Sequence, residues 1–334
     1  PLKELKEFET LSAGVHDLRG IAQISGCIDA AKPHIMYSVN NGSGNRIIVT
    51  FQEQKAKELA EEYRFFDPNV AYYPAKDILF YQSDIRGNVL TAERINALKM
   101  MAEERSCTIV TTFDGLMNPM PSPDQFISAV RKVAVGDVID LEQFTRHLAE
   151  LGYEKNYQVQ TSGEFSVRGG IIDIFPLTEE LPVRIELWGD EVDSIRSFDT
   201  ETQRSVEKLD EVQVYPATEM ILSRNKIGEA VRRMKEEYKK QEEAFKKRKR
   251  LAEKERLRKM TVRTEEELLS FGTAEGSEAL LSYFYEKTVS FLEYLPENTL
   301  FFIDEPHRVL EKGKTYEEEF FLCMQSRLEG GYVL

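Results

Sequence analysis

The chain has 334 residues, 41% of them apolar and 31% charged, and its 44 basic against 58 acidic side chains leave a net charge of −14. At about 150 residues per domain this makes two domains, with room for one to be inserted in the other. The balance argues against a general nucleic-acid coat, whose footprint is basic throughout, though it leaves room for a local basic patch.

The first part of the chain alternates extended and helical patterns. Ile47-Ile48-Val49-Thr50-Phe51 is a short β-branched run after the turn 40–45, and the Glu-rich stretch 52–63 reads as a helix. Val70-Ala71-Tyr72-Tyr73-Pro74 reads as a second strand, 91–104 as a helix, and Thr108-Ile109-Val110-Thr111-Thr112 as a third strand. Short apolar strands separated by helices point to a parallel sheet covered on both faces. Pro119, Pro121 and Pro123 then mark a boundary. Beyond it, Leu141 to Leu151 looks helical, while Phe165 to Phe175, Val183 to Trp188 and Val192 to Phe198 alternate like antiparallel strands, with bends at Gly169-Gly170 and Gly189-Asp190. Residues 224–262 read as one long polar helix, whose segment 235–259 holds twelve Lys/Arg and six Glu. It reads as a solvated helix laced with ion pairs, or as a nucleic-acid or partner surface. Thr299 to Glu305 reads as a buried strand ending in two acids, and its pattern resembles the first strands more than the middle ones.

No stretch approaches the ~18 consecutive apolar residues of a membrane span, and Pro1-Leu2-Lys3-Glu4 lacks the pattern of a signal peptide. The expectation is a cytoplasmic protein with no membrane contact. Cys27, Cys107 and Cys323 form no CxxC pair, and the four histidines are scattered, so neither a zinc site nor a disulfide framework is expected. No metal and no cofactor is expected.

A strand ending in Asp304-Glu305 is the element that places a carboxylate near Mg²⁺ in a nucleotide hydrolase, but GxxxxGK[ST] occurs nowhere. The nearest candidate is Gln23 to Ala30, with Ser25 and Gly26 leading to Ile28, Asp29 and Ala30 where glycine, lysine and hydroxyl would stand. Asp29 would put a like charge among phosphates, a repulsion of several kcal/mol at an effective dielectric near ~20. No catalytic residues are expected. The other glycine-rich stretch, Asn41 to Asn45, precedes a strand and reads as a turn.

The sharpest feature is the run Gly163 to Pro176 followed by Val183 to Asp199. Alternation puts Arg184, Glu186 and Trp188 on one face and Val183, Ile185 and Leu187 on the other. Arg and Trp are enriched in binding hot spots, so this face is a candidate interface. It is equally readable as a solvated face with an Arg–Glu cross-strand pair. Glu164, Asp173, Glu186 and Asp193 read as groups that orient the nearby arginines.

The runs GEFSVRGGIIDIFP, PVRIELWGDEVDSIRSFD and Gln203-Arg204-Ser205 closely resemble the UvrB-homology module of bacterial transcription-repair coupling factors. Tyr72 to Ala75, Ser282 to Lys287 and Asn298 to Glu305 extend the resemblance over nearly the whole chain. It implies an N-terminal fragment with an α/β fold. A degenerate P-loop NTPase-like parallel-sheet domain in two segments, 1–123 and 216–334, would surround an inserted UvrB-like α+β domain, 124–215. It implies a non-catalytic adaptor that binds UvrA and recruits nucleotide excision repair to stalled RNA polymerase. Intramolecular contact with a missing C-terminal region would mask that surface and help to autoinhibit the translocase, and missing domains would engage RNA polymerase and DNA. The family's contact positions fall on Arg168, Arg184 and Trp188, the last commonly Phe in relatives, with Glu164 and Arg196 behind them. Pro74 to Thr91, with Phe80 and Tyr81, is too short for UvrB's damage-sensing hairpin. An active nucleotide hydrolase would need a lysine where Asp29 stands.

Overall fold

The computed structural model describes residues 6–16, 21–39, 44–76, 87–103, 106–274 and 276–334. Phe80, Tyr81 and most of the glycine-rich turn at Asn41 lie outside them. The strands, in chain order, are β1 Arg46–Thr50, β2 Val70–Tyr73, β3 Thr108–Thr112, β4 Arg131–Ala134, β5 Glu154–Lys155, β6 Glu164–Arg168, β7 Ile171–Ile174, β8 Val183–Trp188, β9 Glu191–Phe198, β10 Ser205–Leu209, β11 Glu211–Val214 and β12 Leu300–Ile303. The α-helices are α1 Lys6–His16, α2 Lys32–Ser38, α3 Glu53–Tyr63, α4 Gly87–Ala102, α5 Phe113–Met117, α6 Pro123–Ala129, α7 Leu141–Glu150, α8 Arg224–Lys247, α9 Leu251–Phe271, α10 Leu281–Phe284 and α11 Pro306–Gly330. Among the described residues no helix is long and apolar enough to cross a membrane.

These elements form two compact units, one drawn from 1–76, 97–117 and 294–314, the other from 77–96, 118–293 and 315–334. The first is built on a parallel sheet in the order β12-β1-β3-β2. Every residue of β1, β2 and β3 is buried, the pattern of parallel strands covered on both faces. Helix α3 buries Ala56, Leu59, Ala60 and Tyr63, which recur at helical spacing, in the core with Ile48, Val70 and Val110. Cys107, just before β3, is buried, and burial pushes its thiol up to about 11. Cys27 and Cys323 are only half-buried. Two of the three thiols should therefore react with a disulfide reagent in the native protein, and Cys107 only after denaturation, as a stepwise titration would show.

The second unit holds a six-stranded sheet, β10-β9-β8-β7-β6-β5, antiparallel except where β5 meets β6. Its inward residues, among them Phe165, Ile172, Ile174, Val183, Ile185 and Ile195, form one core with Phe144 and Leu148 of α7. Asp140 caps α7, its carboxylate accepting from the Gln143 amide at 2.9 Å. A separate pair, β4 and β11, went unread in the sequence because β4 buries one apolar residue, Val133, and β11 only two, Val212 and Val214. Burial, reinforced by the Arg131 charge, holds His147 of α7 below the ordinary histidine range. A depressed imidazole stabilises the fold above its unfolded pKa and loses that contribution as the pH falls. His147→Gln should accordingly flatten the acid limb of a stability–pH profile below pH ~6.5.

The stretch expected to be one long helix is instead two, α8 and α9, packed against each other. Lys249 adopts a left-handed conformation (φ 58°), and the Lys249 and Arg250 amides donate back to the Lys246 and Phe245 carbonyls. A helix normally ends this way on glycine, so the sequence carried no visible break. The reversal is driven by burial. Ile227, Ala230, Val231 and Met234 on α8, and Leu257, Thr261, Thr264 and Leu268 on α9, are narrow buried stripes that a continuous helix would leave in water. Lys235–Glu265 and Lys254–Glu242 ion pairs bridge the hairpin.

Candidate protein-docking face

The six-stranded sheet puts Ser166, Asp173, Arg184, Arg196 and Lys208 opposite one another in a single row on one face. Two arginines directly opposite repel, and each is relieved by a different carboxylate. Arg184 clamps Asp173 with two bonds, Nε to Oδ1 at 2.7 Å and Nη2 to Oδ2 at 2.9 Å. Arg196 pairs with Glu186, which also accepts from Ser194 at 3.0 Å. The cross-strand Arg–Glu pair of the solvated-face reading thus exists, but it is made by Arg196.

Asp173 is 1% exposed and serves two arginines, because Arg168 Nη2 also donates to its Oδ2 at 2.7 Å. One buried negative charge meets two positive ones. The Arg184 guanidinium lies 4.4 Å over the Phe198 ring and gives a further bond to Gln203 Oε1 at 3.0 Å. Gln203 reaches it from a left-handed position (φ 59°) in a turn tied by Asp199, whose carboxylate accepts from the Thr202 amide at 2.8 Å. This explains the Gln203-Arg204-Ser205 signature locally: a glutamine amide that positions an arginine. The Asp173 carboxylate holds Arg184 above its ordinary pKa, so its charge is permanent.

Arg168 is freer. Its side chain is 36% exposed, and it gives Asp173 one bond. Trp188 ends β8 just before Gly189 turns the chain with φ 66°, and it is 84% exposed. The turn beyond it is pinned: Ile139 donates to the Asp190 carbonyl at 2.7 Å, and Val192 to that of Asp137 at 2.8 Å. A large apolar ring is therefore presented on a held hairpin. Glu164, read as orienting an arginine, does something else. It accepts from the Gln160 and Thr161 amides and from Asn156, bracing the loop before β6. Burial raises its pKa, but those hydrogen bonds outweigh burial and hold it below the usual range. Asp193 pairs with no arginine among the described residues. Sequence reading missed Gln203 and Phe198 as supports of Arg184, since their roles depend on the β9–β10 turn.

A second cluster lies in the first unit, at the carboxyl ends of β1 and β12. Asp29 opens a short 3₁₀ turn, and Lys32 follows at the start of α2. The Lys32 ammonium contacts Asp29 at 2.8 Å, Asp304 at 2.7 Å and Glu305 at 3.1 Å, and Thr50 donates to the other Asp304 oxygen at 3.1 Å. Lys55 also reaches Asp29, at 3.2 Å. Burial alone would lower the Lys32 pKa, but its three carboxylates raise it well above the lysine range. Hydrogen bonds from Lys32 and Lys55 hold Asp29 below its usual value. Lys32 was absent from the sequence reading. Nothing in its local pattern connects it to acids some 270 positions away. Among the described residues no group of three or more acids, histidines or cysteines is arranged to hold a metal.

A family model described as the UvrB interaction domain matches residues 132–220, the span that contains this sheet. Over its whole length the chain is 31% identical to a transcription-repair-coupling factor of Bacillus subtilis (strain 168), covering 28% of that protein. A coupling factor of Staphylococcus aureus (strain bovine RF122 / ET3-1) is 30% identical over 86% of the chain, which covers 24% of it. The UvrABC system protein B of Thermosipho africanus (strain TCF52B) is 33% identical over 91% of the chain, with 47% of its own length covered. The chain thus spans about a quarter of these coupling factors and just under half of that UvrB protein.

Proposed function

From the premise that this chain is a UvrB-homology module of the transcription-repair-coupling-factor kind, with a UvrB interaction domain at 132–220, we propose that it is a non-catalytic adaptor in nucleotide excision repair. It docks UvrA on the sheet face carrying Arg168, Arg184 and Trp188. The observation that carries this reading is the pairing of two preset features. One is an arginine cluster with one more positive than negative charge, and the other is an exposed tryptophan on a held hairpin. Arg168 keeps donors for a partner carboxylate, and Trp188 supplies apolar area with few rotatable bonds. Arg184 holds Asp173, and through it Arg168, in place. Calorimetric titration of the chain with purified UvrA tests the proposal, and an absence of heat and of co-elution at micromolar concentrations would overturn it. In a longer chain an intramolecular cover over the same face, as autoinhibition requires, would compete with UvrA.

A UvrB-like nucleotide hydrolase is disfavoured by the Lys32 cluster. The Asp304 and Glu305 carboxylates that would face a magnesium ion already share an internal ammonium, and Asp29 stands beside it. A triphosphate would meet carboxylates, with the nearby lysine already committed to three of them. ATP with Mg²⁺ is therefore expected to leave the melting temperature of the first unit unchanged. A ligand at a hundred times its Kd would add about 2.7 kcal/mol, so a saturable upward shift would contradict this reading.

A further inference from the structure

The hairpin of α8 and α9 carries its charge unevenly. Residues 242–258 hold eight lysines and arginines against four glutamates, a local net charge of +4 in a chain whose total is −14. Five of those cations answer nearby groups, Arg256 by donating to the Gly330 carbonyl at 2.6 Å and lying over the Tyr332 ring. Lys246 and Lys254 share Glu242, Arg258 takes Glu255, and Arg250 lies 3.9 Å from Glu253 while donating to the Glu329 carbonyl at 3.0 Å. Glu243 is the remaining nearby acid. Lys247, Arg248 and Lys249, at the turn itself, are exposed and have no ion partner among the described residues.

Two observations separate these three from an ordinary solvated helix face. Lys249 holds the left-handed position where glycine costs least, so a charged side chain is kept there against a conformational penalty. The turn also lies more than ten residues beyond Met234, the last α8 residue of the hairpin-base core, or about 20 Å along the helix. That is more than two Debye lengths at physiological salt, so the hairpin base barely opposes an anion at the tip, and the further acid whose backbone reaches the turn is Glu329 at the end of α11. Lysine is depleted in protein interfaces, and among residues 242–258 Leu251 is the one exposed large apolar side chain. Three adjacent free cations without an apolar face suit a phosphate backbone.

We propose that the α8–α9 turn, through Lys247, Arg248 and Lys249, is a sequence-independent contact for the phosphate backbone of duplex nucleic acid. It is distinct from the sheet face and independent of UvrA. The test is fluorescence anisotropy of the 334-residue chain with a labelled random-sequence duplex of about 20 bp across a NaCl series. Three neutralised phosphates give a slope of log K against log[NaCl] of about −2.5 to −3. The variant Lys247→Gln/Arg248→Gln/Lys249→Gln should lose at least about tenfold in affinity at low salt and most of that slope. Lys249→Gly should raise the melting temperature while weakening duplex binding, a pairing of opposite signs that a purely structural turn does not produce. Equal binding by the triple variant would overturn the proposal, as would a wild-type chain that fails to bind at about 50 mM salt. Capture by phosphatidylserine vesicles without duplex binding would overturn it too, and so would a Lys249→Gly variant with full affinity.

Discussion

Trp188→Ala is expected to weaken UvrA binding by about 30- to 1,000-fold, the equivalent of about 2–4 kcal/mol for a central aromatic anchor, with no change in melting temperature. The second half follows from exposure. Most of the ring lies in water in the free chain, so removing it takes nothing from the fold. Arg168→Ala should behave similarly, since it gives Asp173 a single bond from a partly exposed side chain and Arg184 still covers the carboxylate with two. Arg184→Ala should differ in kind. It would leave Asp173 buried against Arg168 alone, strip a cation from the Phe198 ring and release Gln203. Binding and stability should fall together, the latter by on the order of 2 kcal/mol. Arg184→Lys should not rescue either property, because an ammonium cannot span both oxygens of Asp173. Calorimetry beside thermal melts separates the Arg184 variants from Trp188→Ala and Arg168→Ala. Wild-type affinity in both Trp188→Ala and Arg168→Ala would remove UvrA from this face.

The largest expected loss of stability lies elsewhere in the same unit. Arg94 of α4 is fully buried and forks onto Glu219. Its Nε donates to one carboxylate oxygen and Nη2 to the other at 3.0 Å, while Nη1 donates to Asn118 at 3.2 Å. Glu219 lies at the end of the 132–220 span, so the pair ties the end of the interaction domain to a helix from far earlier in the chain. Arg94→Ala is expected to cost about 3–5 kcal/mol in urea unfolding of this unit, because it takes the guanidinium fork from a buried carboxylate. The double variant Arg94→Met/Glu219→Leu should recover most of that loss, since it removes both charges and keeps the volume. A single variant within about 1 kcal/mol of wild type would show that water reaches the pair in solution.

The sequence alone determined whatever depends on neighbours along the chain. Alternation from Val183 to Trp188 placed an apolar face and a charged one correctly, because side chains on a strand take opposite sides by backbone geometry. The bends at Gly169 and Gly189 were legible because both glycines adopt positive φ, which few other residues reach cheaply. Signature runs were legible too, and with them the relatives the chain would resemble. The left-handed Lys249 hid the helix break, since the side chain at that turn does not belong to the types that announce one. Tertiary structure alone decided the charge pairings. Asp173 pairs with two arginines rather than leaving both to a partner, Glu164 serves a loop, and Lys32 joins acids from the opposite end of the chain. An ion pair is set by a separation of about 3 Å in space, and the desolvation that makes it matter is set by whatever else packs around it. Neither quantity has a period along the sequence, whereas the strand and helix patterns do.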